Sequence, residues 1–245
     1  MSASFAIVMP VFNEGENLQK HLGQVRAIIG PSVPVYVVDG GSTDRSWAIL
    51  NSLTSADPSL HVLSSGKGRA VQMNAGALAA LQTSVSHLLF LHADTVMSAQ
   101  AWQSLLKCLT YTTLAWGRFD VQIEGRSGWL PVVAWMMNQR SRLTRISTGD
   151  QGIFMHRSLF ERVGGYVNQP LMEDIEISRA LKRQRDAVFL AIRERLITSG
   201  RRWDEQGAWS TIVLMWHLRF RYWRGDSASA LLARYRDVRA RKKTP

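Results

Sequence analysis

The sequence predicts an α/β protein: a mostly parallel sheet flanked by helices, with a helical, basic C-terminal tail. Three observations support this. Between residues 5 and 109, short β-branched runs alternate with helical stretches, as βαβ units around a sheet buried on both faces require. Each of those runs ends in polar or glycine-rich residues. From about residue 208 onward, Trp209, Trp216, Tyr222 and Trp223 are mixed with arginines at helical spacing.

The expected strands cover residues 5–11, 33–39, 60–64 and 87–92, and the expected helices 14–29, 43–54, 69–81 and 99–109. The strand ends read Asn13-Glu14, Asp39-Gly40-Gly41-Ser42, Ser65-Gly66-Lys67-Gly68 and His92-Ala93-Asp94. In an open α/β sheet those carboxyl ends form the ligand crevice. After about residue 114 the alternation weakens to a strand at 116–123, a Trp- and Met-rich helix at 129–143 and a loop at 147–151. A strand at 152–156 and a helix at 172–183 follow. The tail reads as two helices broken near Gly225-Asp226.

A chain of 245 residues is long enough for one large domain with a substantial core. Its 46% hydrophobic content and 7 prolines exclude a largely disordered protein. The net charge of +11 is uneven, since residues 219–243 carry nine Arg and Lys against Asp226 and Asp237. Such a pole suits anionic lipid headgroups, a polyanion or a solvated helix face. A lone cysteine, Cys108, excludes an internal disulfide, fits a reducing cytoplasm, and is expected to be buried in a helix. The first residues read as a core strand rather than a signal peptide. The longest apolar stretch, 209–218, is too short to span a bilayer, and no transmembrane helix is expected.

Residues 35–44 combine a buried strand, a terminal acid and a tight glycine turn, with Ser42 or Thr43 placed to cap the next helix. Asp39 would face the crevice and accept hydrogen bonds from a base or ribose, or act as a turn acid. Residues 66–76 join glycines and two cations to a helix on which Arg69, Gln72 or Met73, and Gly76 share a face. They can close over a diphosphate or form an ordinary loop. His92 and Asp94 fall on one face at the end of an apolar strand. Mg²⁺ binds through carboxylates and phosphates, whereas Mn²⁺ accepts imidazole more readily, so His92 is a ligand or a structural histidine. Glu173 and Asp174 open a helix, where the dipole favours acids.

These segments resemble the inverting glycosyltransferases of family 2, which have the Rossmann-like GT-A fold. That family opens with Pro-x-Tyr/Phe-Asn-Glu and ends its second strand Asp-x-Ser-x-Asp. Here stand Pro10-Val11-Phe12-Asn13-Glu14 and Asp39-Gly40-Gly41-Ser42-Thr43-Asp44. Residues 66–76 are similar to its Gly-x-x-x-Ala-x-Asn-x-Gly segment, with Gln72 where arginine is common. His92-Ala93-Asp94 is similar to its Asp-x-Asp metal motif, with His92 replacing the first acid. Together with Gly149-Asp150-Gln151-Gly152 and residues 198–203, the wording looks like a subgroup of short bacterial family-2-like transferases, and the resemblance covers residues 5–203.

The resemblance implies a domain over residues 1–205, with a nucleotide-binding half at 1–112 and an acceptor and catalytic half at 113–205, then the tail at 206–245. It implies a nucleotide site of Pro10, Phe12, Asn13, Glu14, Asp39, Gly41, Gly68, Arg69, Asn74 and Ala93. A divalent metal, Mg²⁺ or Mn²⁺, would sit at Asp94 with His92. Asp174 would be the catalytic base supported by Glu173, and Asp150, Gln151, Arg201, Arg202 and Trp203 would face acceptor and phosphates.

The implied reaction is direct, inverting displacement at the anomeric carbon of a nucleoside-diphosphate sugar by an acceptor hydroxyl, lipid-linked acceptors included. Ser199 stands where processive synthases carry the Gln of Gln-x-x-Arg-Trp, so single transfer is expected. A nucleotidyltransferase would show a glycine-rich loop and lysine after the first strand, and a dinucleotide oxidoreductase Gly-x-Gly-x-x-Gly; both are missing. A nonenzymatic membrane or nucleic-acid module would rest on the tail alone. No RNA-binding signature is present, and nucleic acid is not an expected partner. A cytoplasmic protein is expected, reaching the inner membrane face if the tail's aromatic residues lie at the interface rather than against the domain. The residues leave oligomeric state open.

Overall fold

Alternate residues of the first strand point into two different apolar layers, and this organises the fold. The computed structural model describes residues 4–112 and 114–241, without the side chains of residues 16, 202, 205, 206, 208 and 236–241. Phe5, Ile7, Met9 and Val11 meet Leu18, Leu22 and Val25 of one helical layer, while Ala6 and Val8 meet Ala70, Met73 and Ala77 of the other. A period of two in a strand buried on both faces requires this division.

In chain order the elements are β1 (Phe5–Val11), α1 (Gly15–Ile29), β2 (Val35–Asp39), α2 (Ser46–Thr54), β3 (Leu60–Ser64), α3 (Arg69–Ala80), β4 (His87–Phe90), β5 (Thr95–Val96) and α4 (Ala99–Thr110). Then come β6 (Ala115–Glu124), α5 (Leu130–Thr144), a short 3-10 turn at Gly149–Gln151, β7 (Ile153–His156), α6 (Arg157–Val163), α7 (Glu173–Lys182) and β8 (Val188–Ser199). The last helices are α8 (Arg201–Gln206), α9 (Ala208–Trp223) and α10 (Ala228–Arg241).

One eight-stranded sheet runs β3-β2-β1-β4-β7-β6-β8-β5. β1, β2, β3 and β4 pair in parallel, β7 runs antiparallel to β4 and β6, and β8 is parallel to β6. β5 closes the edge antiparallel to β8. The expected parallel sheet is therefore its first half, and β7 makes the whole mixed. α3 lies close on β1 and β2, because a Cβ at Gly76 would come within 2.6 Å of Val8 Cγ1.

Several local expectations are corrected. Neither Ser42 nor Thr43 caps α2, which starts at Ser46; Asp44 instead accepts from the Ser46 and Gly15 amides at 2.9 and 3.0 Å. β4 stops at Phe90, so His92 and Asp94 stand on a turn closed by Thr95 N–H donating to His92 O. Cys108 is half-buried on α4 rather than buried. The longest strand, β8, had no sequence signal: Arg193-Glu194-Arg195 interrupts any apolar alternation, and its pairing with β6 slips between Phe119 and Asp120.

The tail forms two helices broken as expected around Gly225-Asp226. Leu218 and Leu231 join Met172 and Ile175 in an apolar cluster, with Leu214, Met215 and Tyr222 against it. One face of α9 thus docks on the start of α7. Tyr222 lies on that face, donating to Glu176 at 2.9 Å, apart from the exposed Trp209, Trp216 and Trp223.

Candidate active site

At the ends of β1 and β2, polar residues tie two loops together. The Asp39 carboxylate, 3% exposed, accepts from the Gly41 and Ser42 amides at 2.9 Å each and from the Ser42 hydroxyl at 2.5 Å. Much of its acceptor capacity therefore goes to its own turn, as in the turn-acid reading. Asn13, in the left-handed region at φ 55°, accepts from Thr43 N–H at 2.8 Å, while its own amide donates to Ser42 Oγ. Beside them the Lys67 ammonium sits 3.9 Å above the half-buried Phe12 ring. Gly68 opens α3 next to Lys67.

Several residues of these motifs are held by the protein itself. Pro10 is buried within β1. The buried Gln72 amide donates to Val11 O and Val38 O at 2.7 and 2.8 Å, clamping β1 to β2. Asn74, also named for the nucleotide, exchanges two 2.8 Å bonds with the backbone of Tyr166 and anchors the loop after α6. Ala93 contributes only its carbonyl, 2.6 Å from His21 Nδ1.

A second cluster centres on Arg69, at the start of α3. Its side chain is open to a cavity but surrounded by protein. Enclosure works against its charge, yet the carboxylates of Glu173, Asp150, Asp174 and Asp94 outweigh that and raise its pKa. Glu14 belongs to the same field. Burial and then Asp94 push its pKa up, while Arg201, His21 and Arg69 pull it down. Acids from the loop after β1, the turn after β4, α7 and the 149–151 turn thus meet two arginines in one place.

α7 begins under constraint: Met172, directly before it, holds φ 66°, unusual for a side chain of that size. This turns Glu173 and Asp174 inward at the helix N-terminus. Asp174 accepts from Gly149 N–H at 3.2 Å and from Ile175 N–H at 2.8 Å, and also faces the cavity. Glu173 is buried; desolvation, then the Asp174 charge, raises its pKa to about 7, against Arg69. Tyr166 was missed by sequence reasoning. Its buried hydroxyl has no hydrogen-bond partner among the described residues, and burial with Asp174 and Glu173 holds its pKa well above 10.

The 149–151 turn separates its two polar residues. Asp150 faces the cavity, 3.2 Å from His92 Nδ1. Gln151, expected on the acceptor side, is fully buried; it closes a capping box with Thr148 and donates to Ser141 Oγ at 2.9 Å. A Cβ on Gly149 would stand 2.4 Å from His92 Nε2, so the turn presses directly on that ring. With Asp150 at one nitrogen and Gly149 against the other, the geometry favours the structural reading of His92.

The cavity measures about 520 Å³. Arg69, His92, Asp94, Asp150, Asp174 and Arg201 line it, and Trp203 lines it while also packing against the cluster of Val121, Ile123 and Leu130. The Arg202 side chain lies outside the described residues. No group of three or more His, Cys, Asp or Glu is arranged to hold a metal ion among the described residues. The oxygen donors nevertheless suit a hard divalent ion completed by phosphates, because Asp94 and Asp150 both face the cavity within an acid-rich field.

This fold and site define a class. The pattern of glycosyl transferase family 2 matches residues 6–164, and the chain belongs to that family. Among solved structures it is similar to the mannosyltransferase PcManGT from Pyrobaculum calidifontis in complex with GDP-Man and Mn²⁺, with a TM-score of 0.64 and 18% identity. That match covers 99% of this chain and 70% of the other. It is also similar to S. aureus TarS 1-349 in complex with UDP (TM-score 0.62, 14% identity, 80% of this chain) and with UDP-GlcNAc (TM-score 0.61, 12% identity, 80% of this chain). The chain spans 60% and 58% of those TarS chains. The shared architecture is the GT-A fold. No curated protein sequence matches significantly.

Proposed function

We propose that the chain transfers a sugar from a nucleoside-diphosphate sugar to an acceptor hydroxyl, with inversion and one transfer per encounter. The observation that carries this is the placement of Asp174: a carboxylate held at a helix N-terminus by Gly149 N–H, open to the cavity and beside Arg69. The similar structures that hold UDP, UDP-GlcNAc and GDP-Man support a nucleotide-sugar donor.

In this reading Asp174 takes the acceptor proton as the hydroxyl attacks the anomeric carbon, and the nucleoside diphosphate leaves from the opposite face. Glu173 orients Asp174 electrostatically. Arg69 and Arg201 face the charge that develops on the leaving diphosphate. Asp94, with Asp150 on the same cavity, would hold a divalent ion, which supplies further neutralisation of that diphosphate when bound. Asp39 and Phe12 flank the base and ribose. Asn13 in its loop, and Gln72 and Asn74 on α3, keep those groups in place without touching the donor.

No helix among the described residues is long and apolar enough to cross a membrane. The exposed Trp209, Trp216 and Trp223 of α9, beside the basic tail, support a seat on an anionic membrane surface. The free thiol of Cys108 suits the cytoplasm.

A thermal-shift comparison of UDP, GDP, CDP and NAD, with and without Mn²⁺, tests the reading. Stabilisation by one nucleoside diphosphate, strengthened by the metal, is expected. Stabilisation by NAD alone, or by no nucleotide at all, would overturn it.

A further inference from the structure

Part of the cavity lining is left unused by the donor chemistry. This wall is built by α5 and α9 from Val133, Met136, Met137, Ile212 and Met215. Two cations are set into this apolar wall, Arg140 from α5 and Arg219 from α9. Arg140 Nε and Nη2 and Arg219 Nε are all buried and have no hydrogen-bond partner among the described residues. Burial, then the like charge of Arg219, lowers the Arg140 pKa to about 10, with Asp174 acting the other way, so the Arg140 guanidinium remains charged at neutral pH.

Two adjacent guanidinium groups with unmet N–H donors are costly in an apolar wall unless an anion joins them. A phosphate has enough oxygens to accept from both at once. The donor diphosphate is matched by Arg69 and Arg201. Around Arg140 and Arg219, Val133, Met136, Met137, Ile212 and Met215 offer contact for hydrocarbon.

That hydrocarbon has a path outward. On α9, Trp209, Val213, Trp216, Phe220 and Trp223 recur every three or four residues and are all more than half exposed. Trp216 belongs both to this stripe and to the cavity lining. The Trp129 ring of the α5 N-terminus meets Trp209 edge-on, with centroids 4.9 Å apart, which extends the apolar surface across both helices. The opposite face of α9 is buried against the domain, so the stripe is not left over from its own packing.

We propose that Arg140 and Arg219 bind the phosphate of an amphiphilic acceptor whose apolar chain runs along the methionine wall and past Trp216 to the tryptophan stripe of α9. This rests on the transferase reading and names the acceptor class for it: a compound with an anionic phosphate joined to a hydrocarbon chain. The phosphate here is a recognition handle that brings the acceptor beside Asp174.

The test titrates the full-length protein with decyl phosphate, decanol and inorganic phosphate, below the concentration at which the amphiphiles form micelles, following tryptophan fluorescence and heat. Decyl phosphate is expected to bind at least about tenfold more tightly than either other probe, since it alone satisfies both halves of the site. Arg140→Gln and Arg219→Gln should each weaken decyl phosphate about tenfold while leaving nucleoside diphosphate affinity unchanged. Each should also raise the ligand-free melting temperature by relieving the repulsion, which a merely structural arginine would not do. Equal binding of decanol, equal binding of inorganic phosphate, or indifference of decyl phosphate to both substitutions would each overturn the proposal. The nucleotide titration is read separately: a parent protein that binds decyl phosphate through these arginines but no nucleoside diphosphate keeps the phosphate site and sinks the transferase reading instead.

Discussion

Gly149 N–H donates to Asp174 Oδ2 across 3.2 Å, joining the turn before β7 to the first turn of α7. The same glycine lies against the His92 ring. One small residue thus sets the spacing between the turn that carries Asp94 and the helix that carries Asp174, and a side chain there would push them apart.

Asp174→Asn keeps the shape and the amide contact at Oδ1 but removes the proton acceptor. Transfer should fall about 10²- to 10⁴-fold, the usual contribution of a general base. Nucleoside diphosphate affinity should stay near that of the parent, measured by calorimetry. Undiminished turnover would remove Asp174 from the chemistry.

The two metal-side residues should separate under substitution. Asp94→Asn should abolish the extra stabilisation that Mn²⁺ adds to a bound nucleoside diphosphate. His92→Gln should retain it while lowering the melting temperature, because His92 is wedged between Asp150 and Gly149. Thermal shift with and without metal distinguishes the two; equal loss of the metal effect would return His92 to the ligand set.

Glu173 predicts a pH dependence of stability. Its pKa is raised from the ordinary 4.5 to about 7 in the folded protein, chiefly by burial. A raised acid favours the folded state most while protonated. That contribution is complete below about pH 4.5 and is lost as pH rises through 7. Glu173→Gln, a stand-in for the protonated acid, should therefore melt close to the parent at pH 4.5 and above it at pH 8. Parallel melting curves across that range would contradict the assignment.

Gln72 makes a structural prediction at a position the motif comparison placed near the diphosphate. Gln72→Ala leaves Val11 O and Val38 O without their side-chain donor and opens a void under Gly40. A loss of about 2 to 4 kcal/mol in unfolding free energy is expected. Urea denaturation reads it as a lower midpoint at unchanged slope. Nucleotide preference should not change.

The first half of the chain was legible because its information is local. Strands buried on both faces read as apolar runs, and β1 and β3 have the bounds their sequence indicates. Asp94, Asp174 and Arg69 could likewise be named from short motifs, and the structure brings them to one cavity. Which neighbouring polar residues face that cavity was not legible. Asn74 and Gln151 lie in the same segments as Arg69 and Asp150, yet both turn inward, because distant backbone or buried side-chain groups needed their amides.

By itself, then, the sequence determined the alternating core, the four strands and four helices of the first half apart from the short β5, and the acids Asp94 and Asp174 that line the cavity. Tertiary structure alone decided the rest. β8 is a strand only because β6 pairs with it on both sides of the Arg193-Glu194 bulge. Tyr166 becomes a neighbour of Asp174 through the long-range clamp of Asn74, and Arg140 meets Arg219 only where α9 closes over α5. The physical reason is the same in each case: periodicity reports which face of an element is apolar, whereas the partner of a buried polar group is chosen by residues far away in the chain.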